Sequence, residues 1–309
     1  MTAWRASRRI AVGFAKEMRL TVSGKTSAKA TSNKTAGDLS GKRVAVLGAG
    51  KIGGILLRAF LQKKLVLPKN ARATVKHAER AAELSRSLGV AVGTDNRAAV
   101  RGADIVLIAV KPLLVAEVAQ AIRGVLGPKT LVISVAASVP TSLLEQKLPK
   151  GVPVIRAMPN TPCAIGCGMT GLAKGSHATA AHMEMARALF ESAGRVAVVD
   201  EKLMDAVTGL SASGTAFIYV ILESLAEAGV KTGLSREIAT LLAAQTMAGA
   251  AQMVLQTGDH PALLKDGVTT PAGCTIDGLL ELEDGKVRVT LIKAVVKATE
   301  RAHELMFEK

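Results

Sequence analysis

The sequence predicts an α/β plus all-α protein, with a doubly wound parallel sheet in its N-terminal part and a helical domain in its C-terminal part. Between residues 42 and 137, short apolar runs alternate with helical patterns, as in a parallel sheet covered by helices. Beyond residue 203 the apolar residues follow long helical stretches instead. A chain of 309 residues, 49% of them hydrophobic, is long enough for two such domains. We therefore predict a basic extension over residues 1–40, a sheet domain over 41–203 and a helical domain over 204–309.

The N-terminal extension holds much of the basic excess of the chain, whose formal net charge is +15. Eight Lys or Arg residues stand there against Glu17 and Asp38, among many Ser and Thr residues. This composition suits a disordered arm or an organellar transit peptide, and Met18 offers a third alternative, a shorter product that starts there. Because only 2% of the residues are aromatic, the chain lacks the stacking surface of a single-strand binder, and we expect no nucleic-acid partner.

Hydropathy and cysteine content favour a soluble protein of a reducing compartment. No apolar run comes near the roughly 20 uncharged residues of a membrane-spanning helix, so we expect no membrane partner. Cys163, Cys167 and Cys274 form no regular framework, which favours free thiols and a cytoplasmic location, or an organelle if the N-terminal extension is a transit peptide. The first two cysteines with His177 and His182 imitate a zinc pattern, but the gap between the pairs is short for a zinc finger, so we expect no metal.

A glycine-rich loop between a predicted strand and a predicted helix opens the folded part of the chain. Residues 44–47 are apolar, Gly48, Gly50 and Gly53 follow in the spacing GxGxxG, and a helical pattern continues to residue 60. The first glycine permits a tight turn, the second lets the backbone approach a pyrophosphate, and the third lets the helix pack closely on the strand. The sequence therefore predicts a Rossmann domain that binds a dinucleotide.

The elements that follow continue the alternation of strands and helices. We predict strands at residues 73–75, 90–92, 103–110 and 130–135, and a helix at 79–88. Residues 103–110 are almost wholly apolar, as in a strand covered on both faces. This strand runs into Lys111 and Pro112, and doubly wound sheets bind ligands beyond the carboxyl ends of their strands. We therefore expect these two residues to lie beside the cofactor, where the role of Lys111 is electrostatic or structural.

The end of the second predicted strand bears on the choice of cofactor. NAD usually meets an Asp or Glu there, whereas this chain offers Lys76, His77 and Arg80, with Glu79 as the nearby acid. Positive groups favour the 2′-phosphate of NADPH, although the same residues also suit a solvated helix start. We expect NADPH as the cofactor, with NADH as the alternative.

Long helical patterns dominate the C-terminal part. We predict helices at residues 203–210, 213–229, 235–256, 275–283 and 287–307. They are rich in Ala and Leu and too apolar to be fully solvated in a monomer. We therefore expect a homodimer, or a higher homo-oligomer, built through these helices.

A run of small and hydroxylated residues, VTTPAGCT, precedes the predicted helix at 275–283. Gly273 removes a Cβ that would keep a ligand away from the backbone, and the Thr hydroxyls can donate hydrogen bonds. The first amides of a helix lack partners within the helix and lie at its positive end. The run suits a carboxylate site, and it equally suits an ordinary capped turn.

Four motifs, GAGKIGG, AVKP, VIRAMPNTP and VTTPAGCTIDGLLELEDG, closely resemble those of the pyrroline-5-carboxylate reductases, in the same order and spacing from about residue 42 to the C-terminal region. The segment at 210–234 is also similar to a family stretch that normally reads SGSGPAY. This chain has Ala212 for the usual Gly, Thr215 for Pro and Phe217 for Tyr. In the last motif, Ala272 replaces a usual Gly, and Cys274 stands where Thr or Ala is common.

The resemblance implies an N-terminal Rossmann domain, a C-terminal helical dimerisation domain and reduction of the cyclic imine 1-pyrroline-5-carboxylate to L-proline by NAD(P)H. It also implies residue roles, which we carry over by motif position. The cofactor residues are Leu47, Gly48, Ala49, Gly50, Lys51, Ile52, His77, Asn96, Ala109, Val110, Lys111 and Pro112. The substrate residues are Thr270, Gly273, Cys274 and Thr275, and Thr275 is the catalytic hydroxyl that meets the ring nitrogen. Two rival hypotheses remain: a reductase of a related cyclic imine acid, and a nucleotide-binding regulator without catalysis.

Overall fold

In the computed structural model, residue 39 and residues 41–305 are described, so the predicted extension lies almost wholly outside the described residues. These residues contain one eight-stranded sheet with the strand order β3-β2-β1-β4-β5-β6-β7-β8. The strands are β1 (Val44–Leu47), β2 (Ala71–Thr74), β3 (Ala91–Gly93), β4 (Ile105–Ile108), β5 (Leu131–Ser134), β6 (Val154–Pro159), β7 (Gly168–Lys174) and β8 (Gly194–Val198). The first six strands are parallel, which confirms the doubly wound sheet.

The sheet departs from a wholly parallel arrangement at β7. This strand pairs with β6 in the antiparallel sense, and β8 pairs with β7 in the parallel sense. Only residues 160–167 join β6 to β7, whereas a parallel pair needs a crossover of a dozen residues or more. A helix between β7 and β8 supplies such a crossover, so these two strands again run in the same direction.

Helices cover both faces of the sheet. They are α1 (Lys51–Gln62), α2 (Ala78–Leu88), α3 (Asn96–Val100), α4 (Val115–Ile122), α5 (Thr141–Lys147) and α6 (Ala180–Glu191). All four residues of β1 are buried, and they alternate between two apolar clusters, one on each face. On one face Phe60 of α1 meets Phe190 of α6 edge to face, with ring centroids 6.3 Å apart. The central strands are thus fixed from both sides, and their ends are free to carry a site.

The C-terminal region is helical, as predicted. Its helices are α7 (Met204–Val207), α8 (Gly214–Lys231), α9 (Arg236–Thr257), α10 (Pro261–Gly267), α11 (Cys274–Asp284) and α12 (Val287–Glu304). A π-helical turn, Thr208–Ser213, joins α7 directly to α8, where the sequence predicts two separate helices. The predicted boundary at residues 203/204 falls beside the start of α7 and stays a prediction.

A buried ion pair links the sheet to the helical region. Arg156 of β6 is 3% exposed, and its Nη2 lies 3.0 Å from Oδ1 of Asp205 in α7. The second oxygen of Asp205 lies 3.2 Å from Nδ1 of His303 near the end of α12. A buried guanidinium is costly without a carboxylate partner, so this contact holds α7 and α12 against the sheet.

The outer helices expose a large apolar surface. In the single chain α8 buries only Gly214 and Ala226, and α9 buries only Ala239 and Ala243. By length and composition alone, the helical stretches Glu201–Lys231 and Arg236–Thr257 are long and apolar enough to cross a membrane, and little of either is buried. Exposed apolar helices of this length are stable in contact with either a lipid bilayer or another protein surface.

Candidate active site

The glycine loop joins β1 to α1 and contacts the end of β4. Gly48 has φ +87°, a conformation that other residues rarely adopt, and a Cβ there would lie 2.8 Å from Cγ1 of Val110. A Cβ on Gly53 would collide with the carbonyl oxygen of Gly48 and would lie 2.9 Å from Cβ of Ala109. At Gly50 a Cβ would meet nothing within 4 Å. Gly48 and Gly53 are therefore required by packing, while Gly50 faces open space that a ligand can occupy.

The start of α1 offers backbone donors to an anion. Gly50 is the residue before the helix and has no side chain to cap it, and the first turn contains no acidic residue. The amides of Lys51, Ile52 and Gly53 are the first of the helix and have no carbonyl partner within it. Together with the positive end of the helix dipole, they suit the pyrophosphate of a dinucleotide.

Thr74 at the end of β2 holds the glycine loop in place, a role that the sequence analysis missed. Its carbonyl oxygen accepts hydrogen bonds from the amides of Gly48 (3.1 Å) and Ala49 (2.7 Å). Its hydroxyl donates to Oδ1 of Asn96 (2.7 Å), and the hydroxyl oxygen also accepts from the amide of Gly48 (3.2 Å). Thr74 is 3% exposed and pairs in register with Leu47, the last residue of β1. The sequence signal that could have identified Thr74 is a hydroxyl residue at the end of an apolar strand, level with the last residue of β1.

The carboxyl end of β2 is basic and open. Lys76, His77 and Arg80 are exposed, and His77 precedes α2 without a side-chain hydrogen bond to the helix. Arg80 forms an exposed ion pair with Glu83 one turn along α2. Asn96, predicted to contact the adenosine side, lies one strand away, where its Oδ1 is engaged by Thr74. The structure thus brings His77 and Asn96 to the same edge of the sheet as the glycine loop.

The carboxyl end of β4 lies beside the loop on its other side. The amide of Ala109 donates to the carbonyl oxygen of Leu47 (2.8 Å), so residue 109 continues the contact with β1 beyond the strand. Ala109 and Val110 are half-buried, whereas Lys111 and Pro112 are exposed, and Pro112 begins a 3-10 turn. The predicted AVKP segment therefore lies beside the glycine loop at the carboxyl edge of the sheet.

The loop after β5 carries an unusual residue, Ser138. It has φ +62°, is 5% exposed, and its hydroxyl is buried without a hydrogen-bond partner. A non-glycine residue in this conformation costs of the order of 1–2 kcal/mol. The backbone conformation and the unpaired hydroxyl of Ser138 therefore destabilise the fold at the carboxyl edge of the sheet.

The threonine-rich loop precedes α11. Gly273 precedes the helix, its amide donates to the carbonyl oxygen of Thr270 (3.1 Å), and a Cβ on it would collide with the Thr270 hydroxyl. Thr275 is half-buried, whereas Thr270 and Cys274 are exposed. No side chain caps α11, so its first amides remain available to an anion. Ala272 has φ +56°, which explains physically why glycine would suit that position.

The two halves of the predicted site lie on different elements. The residues predicted to bind the cofactor lie at the carboxyl edge of the sheet. The threonine-rich loop instead precedes α11, which packs against α12 and buries no residue of its own. Within one chain, the residues predicted to bind the cofactor and those predicted to bind the substrate thus lie on separate elements.

The cysteines take no part in a metal cluster within residues 41–305. All three are free, and burial raises the pKa of the Cys163 thiol, which keeps it protonated. The same residues contain no group of three or more His, Cys, Asp or Glu side chains placed to hold a metal ion.

Known protein families match both parts of the chain. A model described as pyrroline-5-carboxylate reductase dimerisation matches residues 201–305, which contain α7 to α12. A model described as NADP oxidoreductase, coenzyme F420-dependent, matches residues 43–138, which contain β1 to β5 and the glycine loop.

Relatives of known identity match nearly the whole folded part. Pyrroline-5-carboxylate reductases from Methanosarcina acetivorans and Arabidopsis thaliana are each 40% identical to this chain, covering 86% and 85% of it and 99% and 95% of their own lengths. The chain belongs to the pyrroline-5-carboxylate reductase family. The resemblance of the four motifs is thereby confirmed.

Solved structures of the family share the fold. The pyrroline-5-carboxylate reductase of Coxiella burnetii is 33% identical, with a TM-score of 0.80 over 85% of this chain and 98% of that one. The pyrroline carboxylate reductase of Plasmodium falciparum, solved with NADP bound, is 28% identical, with a TM-score of 0.78 over 87% and 99%. The predicted combination of a Rossmann domain with a helical dimerisation region is confirmed.

Proposed function

We propose that the protein reduces 1-pyrroline-5-carboxylate to L-proline with NADPH, the last step of proline biosynthesis. The observation that carries the reaction is the match to pyrroline-5-carboxylate reductases over the folded part of the chain. The glycine loop supports the use of a dinucleotide, because packing requires Gly48 and Gly53 while Gly50 leaves room beside an uncapped helix.

The dinucleotide binds along the carboxyl edge of the sheet, with its adenosine side at β2 and its pyrophosphate at the start of α1. The amides at the start of α1 bind the pyrophosphate, and Thr74 keeps the loop closed beneath it. The basic end of β2, with His77, binds the phosphorylated ribose of NADPH, and this preference over NADH rests on the exposed positive groups there. Ala109 to Pro112 line the far side of the cleft.

The threonine-rich loop binds the substrate carboxylate. The amides of Cys274 and Thr275 and the hydroxyl of Thr270 supply hydrogen-bond donors to it. Gly273 keeps the approach open and leaves the Thr270 hydroxyl in place. Thr275, half-buried in the first turn, directs its hydroxyl to the ring nitrogen.

The chemistry depends chiefly on positioning. When bound, NADPH supplies the hydride that reduces the C=N carbon, the ring nitrogen takes up a proton, and NADP+ leaves. The chain holds the two reactants in near-attack geometry, an effect that can contribute about 7–11 kcal/mol. The Thr275 hydroxyl stabilises the changing charge on the nitrogen and assists proton delivery, which needs no strong acid.

A second copy of the chain completes the enzyme. The exposed apolar faces of α8 and α9 lie within residues 201–305, which match a dimerisation region, so another subunit covers them rather than a bilayer. The active site lies between the cofactor of one subunit and the helical region, and the homodimer is the smallest active unit. We assign the protein to the cytoplasm.

The test is oxidation of NADPH in the presence of 1-pyrroline-5-carboxylate, followed at 340 nm, with proline measured as the product. NADH is run in parallel and should be the poorer cofactor. Thr275→Val should lower kcat at least about 100-fold with NADPH binding unchanged, because it removes the donor at the nitrogen. Thr269→Val is the matched control, since its hydroxyl donates instead to the carbonyl oxygen of Lys265 (2.8 Å).

The outcomes separate the rival functions. NADPH binding without turnover of any cyclic imine acid would leave a nucleotide-binding regulator. Faster turnover of a six-membered imine acid than of the five-membered one would assign a related substrate. An unchanged rate in Thr275→Val would remove that hydroxyl from the mechanism.

A further inference from the structure

Asn160 joins the sheet to the helical region at the carboxyl end of β6. Its Oδ1 accepts a hydrogen bond from the amide of Met169 (2.9 Å). Its Nδ2 donates to the carbonyl oxygen (3.4 Å) and the hydroxyl oxygen (3.3 Å) of Ser211. One half-buried side chain therefore fixes the loop between β6 and β7 and also fixes the π-helical turn Thr208–Ser213.

The carbonyl oxygen of Ser211, in the π-helical turn, accepts hydrogen bonds from two side chains. In this chain the Thr215 hydroxyl donates to that oxygen (3.1 Å), and Asn160 donates to it as well. Side chains thus stabilise the turn, and π-helical turns occur frequently at functional sites.

The sheet order places this turn beside the nicotinamide half of the cleft. The pyrophosphate lies at the end of β1 and the adenosine side at β2, so the nicotinamide extends the other way, over β4, β5 and β6. Asn160 follows β6, and Ala212 of the turn packs in the same apolar cluster as Ala137, which follows β5. The turn therefore lies over the strand ends that the nicotinamide must cross.

We infer that Asn160 is a positioning residue for the hydride transfer, because it holds residues 211–213 as a wall of the nicotinamide pocket. This inference rests on the proposed function. Asn160 fits the role because it uses an acceptor toward Met169 and a donor toward Ser211 at the same time. An aspartate keeps only the acceptor, and its carboxylate repels the Ser211 carbonyl oxygen.

The experiment compares Asn160→Asp and Asn160→Ala with the wild-type full chain. We measure kcat and KM for 1-pyrroline-5-carboxylate, Kd for NADPH, thermal stability and oligomeric state. Both variants should lose about 100-fold in kcat, the typical effect of a misplacement of about 1 Å, while Kd for NADPH stays within about twofold. Asn96→Ala is the contrasting variant, because it lies on the adenosine side and should raise Kd for NADPH.

A pair of serine variants tests the contact from the other side. Ser211→Ala removes one of the two acceptors of Asn160 and should lower kcat by a smaller factor than Asn160→Asp. Ser87→Ala is its matched control, since the Ser87 hydroxyl donates to the carbonyl oxygen of Leu84 (3.1 Å) in α2, away from the cleft.

Three results would overturn the inference. If Asn160→Asp keeps wild-type kcat while Asn160→Ala loses it, the bond to Met169 is the one that matters. If NADPH binding and thermal stability fall together with kcat, Asn160 is only a structural residue. If the wild-type chain reduces no cyclic imine acid, the proposed function fails and the inference falls with it, a result distinct from the first two.

Discussion

Alanine at Gly53 should lower stability, whereas alanine at Gly50 should weaken NADPH binding, although the two glycines lie only three residues apart. At Gly53 a Cβ collides with the carbonyl oxygen of Gly48 and lies 2.9 Å from the Cβ of Ala109. The carbonyl oxygen of Gly48 belongs to the backbone and the Cβ of Ala109 is bonded directly to it, so neither atom can turn aside and α1 must move away from the sheet. Such overpacking costs about 1–3 kcal/mol. The better helix propensity of alanine returns about 1 kcal/mol.

Because both contacts are shorter than 3.0 Å and neither atom can move freely, the cost lies at the upper end of that range, and the net destabilisation by Gly53→Ala is about 2 kcal/mol. In a chain of this size it corresponds to a fall of about 4 °C in Tm. At Gly50 a Cβ meets nothing within 4 Å, so Gly50→Ala should leave the Tm of the free protein within about 1–2 °C of wild type. In the proposed mode of binding, the same Cβ takes up space that the pyrophosphate needs. Loss of one charge-assisted hydrogen bond, about 2 kcal/mol, should raise Kd for NADPH about 30-fold.

The assays are thermal unfolding of the free protein at one fixed concentration and fluorescence titration with NADPH. Fixed concentration matters because association with a second copy also raises Tm. A Gly50→Ala variant that binds NADPH as tightly as wild type would refute the assignment of this loop to the pyrophosphate. A Gly53→Ala variant with the wild-type Tm would refute the packing of α1 on β4.

Three further predictions concern stability. Ser138→Gly should raise the free energy of unfolding by about 1 kcal/mol in urea titration, because it relieves a left-handed backbone and removes a buried, unpaired hydroxyl; a lower value would contradict this. Asp205→Ala should lower the free energy of unfolding by about 3 kcal/mol in the same assay, because it leaves the buried Arg156 without a carboxylate partner. A decrease of less than about 1 kcal/mol would show that this ion pair does not stabilise the fold. Nδ1 of His182 accepts a hydrogen bond from the amide of Thr179, which caps α6, and burial lowers the pKa of the His182 ring from 6.5. The neutral ring therefore stabilises the folded protein above pH 6.5, and this stabilisation is lost as the pH falls through the lowered pKa. Thermal unfolding at pH 8 and pH 5 should therefore show a smaller acid loss in His182→Gln, which keeps an acceptor that does not titrate; equal losses would contradict the role of the ring.

The sequence predicts the start of the Rossmann domain well because its signals are local. An apolar strand, three glycines at fixed spacing and a helical pattern predict the turn between β1 and α1, and the structure has β1 at residues 44–47, as predicted. The strand that ends before AVKP is shorter than the apolar run suggests, since the chain leaves the sheet after Ile108 to follow the cleft edge.

The contacts that organise the site are not local, which is why the sequence analysis misses them. Thr74 meets the glycine loop across 26 residues, and Asn160 meets Ser211 across 51. Both are single polar side chains at strand ends, and their importance follows from the strand order rather than from any repeated pattern. The reversal of β7 follows from loop length, and the π-helical turn differs from an α-helix by one residue in register, which apolar periodicity does not resolve.

The most direct test of the account is the crystal structure of the full-length homo-oligomer with NADP+ and proline. We predict that the threonine-rich loop of residues 270–275 holds the proline carboxylate. The ring carbon that accepts the hydride, which is the neighbour of the nitrogen that does not bear the carboxylate, should lie about 3–3.5 Å from C4 of the nicotinamide. A complex in which that loop is turned away from the nicotinamide in every subunit pairing would contradict it.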